Sequence, residues 1–376
     1  MKSKVAVLKT SPDTVLEDYH RLLESIDYLD FLDKNQDVLL KINVSWHHWY
    51  PACSTTSWQL DGVIRSLLKD GFSKDQLVST HNRTVVVSDK KGEIKNHLRQ
   101  VDEDLHGIRK VRLYEKPVKW VEFKPDKPFR VLGKIFPDGV KVPDILIGKN
   151  IIHLPTMKTH VFTTITGAMK NAFGGLLSER RHWTHSVIHE TLVDLLRIQK
   201  EIHPGILAVM DGTFAGEGPG PRAMIPHVKN YILASADQVA IDAISAKMQG
   251  FDPMKLDFIR LAHEEGLGVG DTAEIEIVGE DISKVNFHFM QTETFASRGQ
   301  KAIYHGWLKP LENILLRSPI VPWSFYASRL YHDVFWLNIV GKKRIKEALA
   351  TPWGELFKKY ASVETIPDSK GIESGE

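Results

Sequence analysis

Short apolar runs alternate with amphipathic stretches along the chain up to residue 285. The apolar runs predict buried strands, and apolar side chains that recur every three or four residues predict helices. The clearest predicted strands are residues 5–8, 38–43, 151–154, 206–210, 231–234 and 275–278. The clearest predicted helices are residues 58–68, 187–202, 237–248 and 254–265. This alternation predicts an α/β fold, with a central mixed or mostly parallel sheet and helices on both faces.

The composition changes after residue 290. Residues 296–360 hold four of the nine tryptophans and four of the nine tyrosines, with eleven Lys and Arg against four Asp and Glu. We therefore predict an α/β domain over 1–290, a basic, Trp- and Tyr-rich helical C-terminal extension over 291–361, and a disordered tail over 362–376. The extension has three open interpretations: a cap on the α/β core, a contact with a membrane surface, or a contact with a protein partner, oligomerisation included.

Bulk properties exclude several classes of protein. A net charge of +2 gives no signal for nucleic acid, so no nucleic-acid partner is expected. No stretch approaches the roughly 18 uncharged apolar residues of a membrane span, and the first ten residues predict a strand rather than a signal peptide. Cys53 is the single cysteine, which excludes an internal disulfide. We expect a cytoplasmic location, or one peripheral to the membrane.

Candidate chemistry concentrates in residues 151–175. Lys158, His160, Lys170 and Asn171 follow a predicted strand and precede a predicted helix, which is where ligands bind in α/β proteins. Cations accompanied by hydroxyl groups suit a small anionic ligand, a carboxylate or a phosphate. The alternative is that both lysines are solvated surface residues. We expect the site residues to gather in one positively charged cavity along one rim of the sheet.

The same segment resembles the signature of the domain of unknown function 362 family. That pattern runs P-x-x-K-T-H, a spacer, then T-G-A-x-K-N-x-F-G, and it stands here at residues 155–160 and 166–174. Further similarity lies at Asp211, at 217–220 and at 234–242. The resemblance covers residues 35 to 285 and implies a fold and a site but no reaction. Some members carry ferredoxin-like segments, yet a single cysteine excludes an iron–sulfur cluster held by four thiolates of this chain.

The remaining candidates lie at other predicted strand ends. Asp211 begins a glycine-rich stretch whose backbone N–H groups can cradle an anion, and its carboxylate can bind a cation or act as a base. Lys41 ends a buried strand, where an unpaired charge is costly, and the resemblance includes it in a K-P-N-like element. The predicted substrate-binding residues are Lys41, Asn43, Asn171, Gly174, Glu217, Gly218 and Gly220.

Histidines 182, 185 and 189 form an H-x2-H-x3-H pattern. A divalent metal could be held by His182 and His185 together with Asp211 and Glu217. Contact with an anion and a purely structural role are the alternatives. No cofactor is identified by the sequence.

Three functions follow from these candidates. The first is an enzyme that acts on a small anionic substrate, with Lys158, His160, Lys170 and Asp211 as catalytic residues. The second is a metal-binding protein or metalloenzyme, and the third is a non-catalytic ligand-binding module tethered through its C-terminal extension. The substrate, the reaction, the oligomeric state and whether the protein is an enzyme at all stay open.

Overall fold

The computed structural model describes residues 3–84, 86–312 and 326–367. The strands are β1 (Lys4–Lys9), β2 (Val38–Ile42), β3 (Leu77–His81), β4 (Arg109–Arg112), β5 (Trp120–Glu122), β6 (Lys141–Pro143), β7 (Asn150–Leu154), β8 (Thr156–His160), β9 (Thr164–Ile165), β10 (Ile206–Glu217), β11 (Ile225–Ser235) and β12 (Glu276–Gly279). Ten of these described strands form one sheet, while β5 and β6 pair separately.

The helices follow the same chain order. The α-helices are α1 (Val15–Glu24), α2 (Ser57–Lys69), α3 (Asp89–Lys95), α4 (Leu132–Ile135), α5 (Gly167–Asn171), α6 (Phe173–Leu176), α7 (Ile188–Ile202), α8 (Gln238–Gln249), α9 (Asp257–Glu264), α10 (Phe295–Tyr304), α11 (Lys342–Leu349) and α12 (Pro352–Lys359). The 3₁₀ segments are Tyr28–Phe31, Lys74–Gln76, Asp144–Leu146, Glu179–Val187, Pro253–Lys255, Lys309–Leu311 and Val363–Thr365, and the π-helical segments are Gln100–Leu105 and Leu330–Gly341.

The large sheet is mixed and mostly parallel, and its strand order is β12-β1-β11-β10-β7-β2-β3-β4. In addition, β8 pairs with β10, and β9 pairs with β8. Strands β2, β3 and β7 are buried along their whole length and pair in parallel, as apolar strands covered on both faces do. Helices α1 and α2 cover one face of the sheet, and α5 to α9 cover the other. The predicted fold class is confirmed.

Strand structure continues further than the sequence suggests at two predicted strand ends. Strand β7 ends at Leu154, as predicted, but a new strand, β8, starts directly after Pro155 and pairs with β10. Lys158 and His160 therefore lie on a strand instead of in a loop. Similarly, β10 continues through Asp211 to Glu217, since its second half pairs antiparallel with β11. The predicted glycine-rich loop after Asp211 is thus mostly strand, which is a correction.

The C-terminal helices pack on the face that α1 and α2 cover. Trp353 of α12 is 2% exposed, and the rings of Trp49 and Phe357 stack at 4.2 Å. The Tyr360 hydroxyl donates to the Asp61 carboxylate at 2.8 Å. The predicted tail needs a correction over its first residues, because Val363–Thr365 form a 3₁₀ turn and Ile366 is buried. Residues 368–376 lie outside the described residues.

Candidate functional site

A cavity of about 600 Å³ opens at the carboxyl ends of β2 and β3. Its floor comes from these two strands and from the end of β8, and one side comes from α5 and α6. Residues of α10 and of the segment 327–331 complete the wall opposite the strand ends. The volume lies in the range of small-molecule binding sites.

Positive and titratable basic side chains dominate the polar wall of this cavity. They are Lys41, Lys170, Arg181, Arg222, His81, His160, His182 and His185. Among the described residues that line the cavity, none carries a carboxylate. Basic side chains gathered on one wall produce a positive potential that attracts an anionic ligand, although His81 pairs with the Glu93 carboxylate at 2.5 Å.

Lys41 stands at the end of β2 and is 3% exposed. Its Nζ donates to the carbonyl of Ile42 at 2.6 Å. Gly174 and Gly175 leave room for this side chain, because a Cβ built on Gly175 would lie 3.1 Å from the Lys41 Cε. Burial, together with the nearby Arg181 charge, lowers the pKa of Lys41 from 10.5 to about 7.

The short helix α5 carries Lys170, and a buried carboxylate holds its first turn. Gly167 begins α5 with a φ of +72°, and Asp242 of α8 accepts hydrogen bonds from the Ala168 and Met169 amides at 2.5 and 3.0 Å. Burial raises the pKa of Asp242 to about 7. Asp242 therefore caps α5.

Lys170 and His160 form a contact between two basic groups. The Lys170 Nζ lies within hydrogen-bond distance of the His160 Nε2. Burial is the main cause that lowers the pKa of both groups well below their usual values, and the charge of Lys158 adds to the effect at Lys170. A lowered pKa makes the neutral amine of Lys170 more available as a general base than that of an exposed lysine.

The two asparagines of the prediction also line this cavity. The Asn171 side chain donates to the Lys41 carbonyl at 2.9 Å, which ties α5 to the end of β2. Asn43 donates through its side chain to the Cys53 carbonyl at 3.2 Å and accepts from the Ser45 hydroxyl at 2.9 Å. These bonds hold both amides in place beside the cations.

Much of the remaining cavity wall is apolar and aromatic. Its described apolar and aromatic residues include Val86, Val87, Val161, Phe162, Phe173, Ile303, Tyr304, Ala327 and Tyr331. The rings of His185 and Tyr304 stack at 5.3 Å, so helix α10 packs directly on the basic wall. The cavity therefore presents both cationic and apolar side chains to a ligand.

Lys158 does not line the cavity, although the sequence predicts it there. Its side chain is fully buried, contacts the Cys53 carbonyl and donates to the Thr156 hydroxyl at 3.1 Å. Burial lowers its pKa to about 8. Lys158 thus ties the loop at Cys53 to β8, and its charge acts on the cavity residues Lys170 and His160, lowering the pKa of each.

Asp211 is sealed in the core beneath α1 and α2. One carboxylate oxygen accepts from the Tyr19 hydroxyl at 2.8 Å, the Trp58 indole at 2.9 Å and the Thr56 hydroxyl at 3.1 Å. The other oxygen accepts from the Thr213 hydroxyl at 2.8 Å. Burial raises the pKa of Asp211, and these bonds oppose that rise. The predicted convergence of Asp211 with the cations is corrected accordingly.

Residues 217–220 also lie away from the described cavity wall. Glu217 pairs with His227 at 2.8 Å and accepts from the Met290 amide at 3.1 Å. Gly220 approaches β8 so closely that a Cβ there would lie 2.0 Å from the Thr159 carbonyl oxygen, and the Thr159 hydroxyl donates to the Gly218 carbonyl at 2.7 Å. These glycines serve close packing of the chain on itself rather than approach to a ligand in this cavity.

The predicted metal ligands do not meet. His182 and His185 line the cavity, whereas Asp211 and Glu217 are engaged elsewhere. In the described ranges, two other groups bring three ligand atoms within 4.8 Å of one another: His47 with His48 and Asp333, and His81 with Asp89 and Glu93. In both groups a carboxylate already accepts a hydrogen bond from a neighbouring side chain. Asp333 accepts one from the Trp46 indole, and Glu93 accepts one from the Arg112 guanidinium.

Three basic cavity residues were not among the predicted site residues: His81, Arg181 and Arg222. Arg181 directly precedes the histidine pattern at 182–189, and Arg222 follows the glycine-rich stretch that begins at Asp211. His81 gave no signal of its own, since it ends an ordinary buried strand. A rule that inspects the last residue of every predicted parallel strand would have found it.

Residues 38–247 match the family described as "Domain of unknown function (DUF362)". The chain belongs to the DUF362 family. It is also similar to the thylakoid-associated protein sll1697 of Synechocystis sp., with 32% identity over 130 residues. That match covers 33% of this chain and 39% of the relative, so the chain spans well under half the length of that relative.

Strand β2 and helix α8 mark the two ends of the DUF362 match, which therefore includes Lys41, the α5–α6 region and Asp242. The parts of the cavity wall contributed by α10 and by residues 327–331 lie outside the match. Within the described residues, none of the helices combines the length and apolar character needed to span a bilayer.

Proposed function

We propose that this DUF362 protein binds an organic anion with an apolar body, and that the Lys170–His160 pair exchanges a proton with the bound molecule. The observation that supports this proposal is the composition of the cavity wall. Lys41 and Lys170 lie on it together with Arg181, Arg222 and four histidines, of which His81 pairs with Glu93. An anion is the kind of ligand that suits such a basic wall.

The lowered pKa values support the same proposal. Burial, with a neighbouring positive charge, lowers the pKa values of Lys41 and Lys170 and so favours their neutral forms. A bound anion stabilises the ammonium form, so ligand binding raises both pKa values and draws protons from the solvent. Lys170 then carries, next to the ligand, a proton that it can donate and that His160 can share.

Calorimetric titration with decyl phosphate tests this proposal. We expect saturable binding in the cavity, with net proton uptake revealed by titrations in two buffers of different ionisation enthalpy. Replacing Lys170→Met should weaken binding by roughly ten- to a hundredfold, since a hydrogen bond to a charged group contributes about 1.5–3 kcal/mol. The matched control is Lys255→Met, because that lysine is exposed on the surface.

Decanol, which has the same chain without the anionic group, should bind far more weakly. Equal binding of decanol and decyl phosphate, or an unchanged affinity in Lys170→Met, would refute the proposal. Binding without any turnover of related esters would favour the ligand-binding module over the enzyme. We propose no metal chemistry here, because the predicted ligands do not converge.

We also propose that the protein works peripheral to a membrane, on its cytoplasmic side. The similarity to a thylakoid-associated protein supports a membrane, although the match covers only a third of this chain. The basic, aromatic composition of residues 296–360 supports it independently.

A further inference from the structure

The π-helical segment Leu330–Gly341 exposes apolar side chains and turns a charged side chain toward the protein, which is the reverse of a helix on a water-facing surface. Its outward side chains include Val334, Phe335 and Ile339, the last of which is 75% exposed. The carboxylate of Asp333 instead points toward the protein, where it accepts from the Trp46 indole at 2.7 Å. A helix in contact with water normally buries its apolar stripe and exposes its charges.

Several contacts hold the segment in this orientation. His47 pairs with Asp333 at 3.2 Å, and Leu337 is 7% exposed. The Trp336 ring packs against the rings of Trp46 and Tyr50 at 6.0 and 5.4 Å. A rotation that buried Ile339 would break the ion pair and separate these rings. The outward apolar face is therefore built into the fold.

Basic side chains follow this face directly. Helix α11 begins with Lys342 and Lys343 and continues to Lys346, and all three are exposed. The eight residues of α11 contain four cations and one Glu. Apolar side chains beside a cluster of lysines are what an anionic bilayer surface binds, since the lipid head groups attract the cations while the interface accepts the apolar groups.

The same stretch of chain forms part of the cavity wall. Ala327, Ser328 and Tyr331 line the cavity within one or two turns of the outward face, and Arg222 donates to the Ser328 hydroxyl at 3.3 Å. Trp307, which follows the cavity-lining helix α10, is 82% exposed. A surface that touched the outward face would thus lie next to the apolar part of the cavity.

We infer that the outward face of Leu330–Gly341, together with the lysines of α11, docks on an anionic lipid surface, and that the cavity takes a single-chain anionic amphiphile from that surface. The second part rests on the proposed function. The apolar wall receives the chain of the amphiphile, and the cations at the strand ends receive its head group.

Co-sedimentation of the full chain with vesicles tests the docking face. The wild-type protein should sediment with vesicles of phosphatidylcholine and phosphatidylglycerol and stay in solution with phosphatidylcholine alone. The double variant Phe335→Ser, Ile339→Ser should sediment at least roughly tenfold less, because it removes two large apolar side chains from the interface. The matched control is Ile147→Ser, which replaces an exposed apolar residue that follows β6.

A second variant, Lys342→Glu with Lys343→Glu, should also reduce sedimentation, and thermal unfolding should show that both double variants remain folded. The docking face would be refuted if wild-type protein did not sediment with anionic vesicles, or if the serine variant sedimented as the wild type does. A dimer in light scattering that the serine variant dissociates, without vesicle binding, would assign the face to a second copy and overturn it too.

Decyl phosphate titration separates this inference from the proposed function. The serine variant should keep the wild-type affinity for decyl phosphate in solution. Vesicles doped with hexadecyl phosphate should load it into wild-type protein, detected by native mass spectrometry after release in salt, and should not load the serine variant. Vesicle binding without any decyl phosphate binding would refute the proposed function and leave the docking face standing.

Discussion

Two buried polar centres lie against this sheet, and they differ in how their charges are satisfied. Asp211 is enclosed by Tyr19, Thr56, Trp58 and Thr213, all of which donate to it. Lys170, in the cavity, has another basic group, His160, as its neighbour. One centre has a full set of partners inside the protein, and the other has an excess of one kind of charge.

This difference shows that burial of a charged residue does not by itself indicate a functional site. A buried carboxylate with four donors fastens helices to a sheet, because each donor would otherwise lose its partner. Buried cations without a counter-charge lower the stability of the fold, and their presence is explained only by something that binds them. The partners of a charge therefore carry more information than its burial.

The largest expected effect comes from breaking the satisfied centre. Asp211→Ala leaves the Tyr19, Thr56 and Trp58 donors buried without an acceptor, so we expect a loss of at least about 3 kcal/mol of unfolding free energy. Urea unfolding measures it. Lys170→Met should not lower stability in the same assay, because it removes a buried basic group that has another basic group as its neighbour. A stable Asp211→Ala protein that fails to bind decyl phosphate would instead make Asp211 part of the site.

A change of pH should affect stability and binding in opposite directions. The pKa values of Lys41 and Lys158 are lowered to about 7 and about 8, so between pH 7 and 10 the unfolded chain binds more protons than the folded one. Stability should therefore rise through this window, by on the order of 1 kcal/mol per pH unit for each lysine. The affinity for decyl phosphate should fall as Lys41 loses its charge.

Urea unfolding and calorimetry at pH 7 and 9 measure the two trends. Lys41→Met should reduce both slopes, because it removes the group that titrates at about pH 7, and part of the stability slope should remain because Lys158 still titrates. Identical slopes for wild type and Lys41→Met would show that Lys41 does not titrate in this window.

The smallest effect is expected at Glu217. Its partner His227 keeps about a third of its side chain exposed, so Glu217→Gln should reduce stability by less than about 1 kcal/mol. Its affinity for decyl phosphate should equal that of wild type, since Glu217 is not among the described residues of the cavity wall. A clear loss of affinity for decyl phosphate would show that Glu217 contributes to the binding site.

The sequence predicted the fold class and part of the site for the same reason. Both depend on local patterns, namely apolar runs for the strands and polar residues at their ends. Lys41, Asn43, His160, Lys170, Asn171, Gly174, His182 and His185 all line the cavity. Their chemical roles stay predictions, as does the division of the chain at residue 290.

The remaining errors concern the direction in which a side chain points and the contacts between residues that are far apart in the sequence. Lys158 and His160 lie two positions apart on β8, yet only His160 lines the cavity. No feature of the neighbouring sequence distinguishes these two residues. Asp211 was misjudged because its donors Tyr19 and Trp58 lie more than 150 residues away in the chain. Such contacts follow from the packing of helices on the sheet, which single-sequence patterns do not encode.

The contact between Gly167 and Asp242 has a consequence for the history of the sequence. A Cβ at position 167 would lie 2.3 Å from an Asp242 carboxylate oxygen, so the carboxylate fills the space that any other side chain would need. The two positions are 75 residues apart, yet a substitution at either one alone would disturb α5. Lineages that change one should change the other as well, and their covariation across relatives would record this contact.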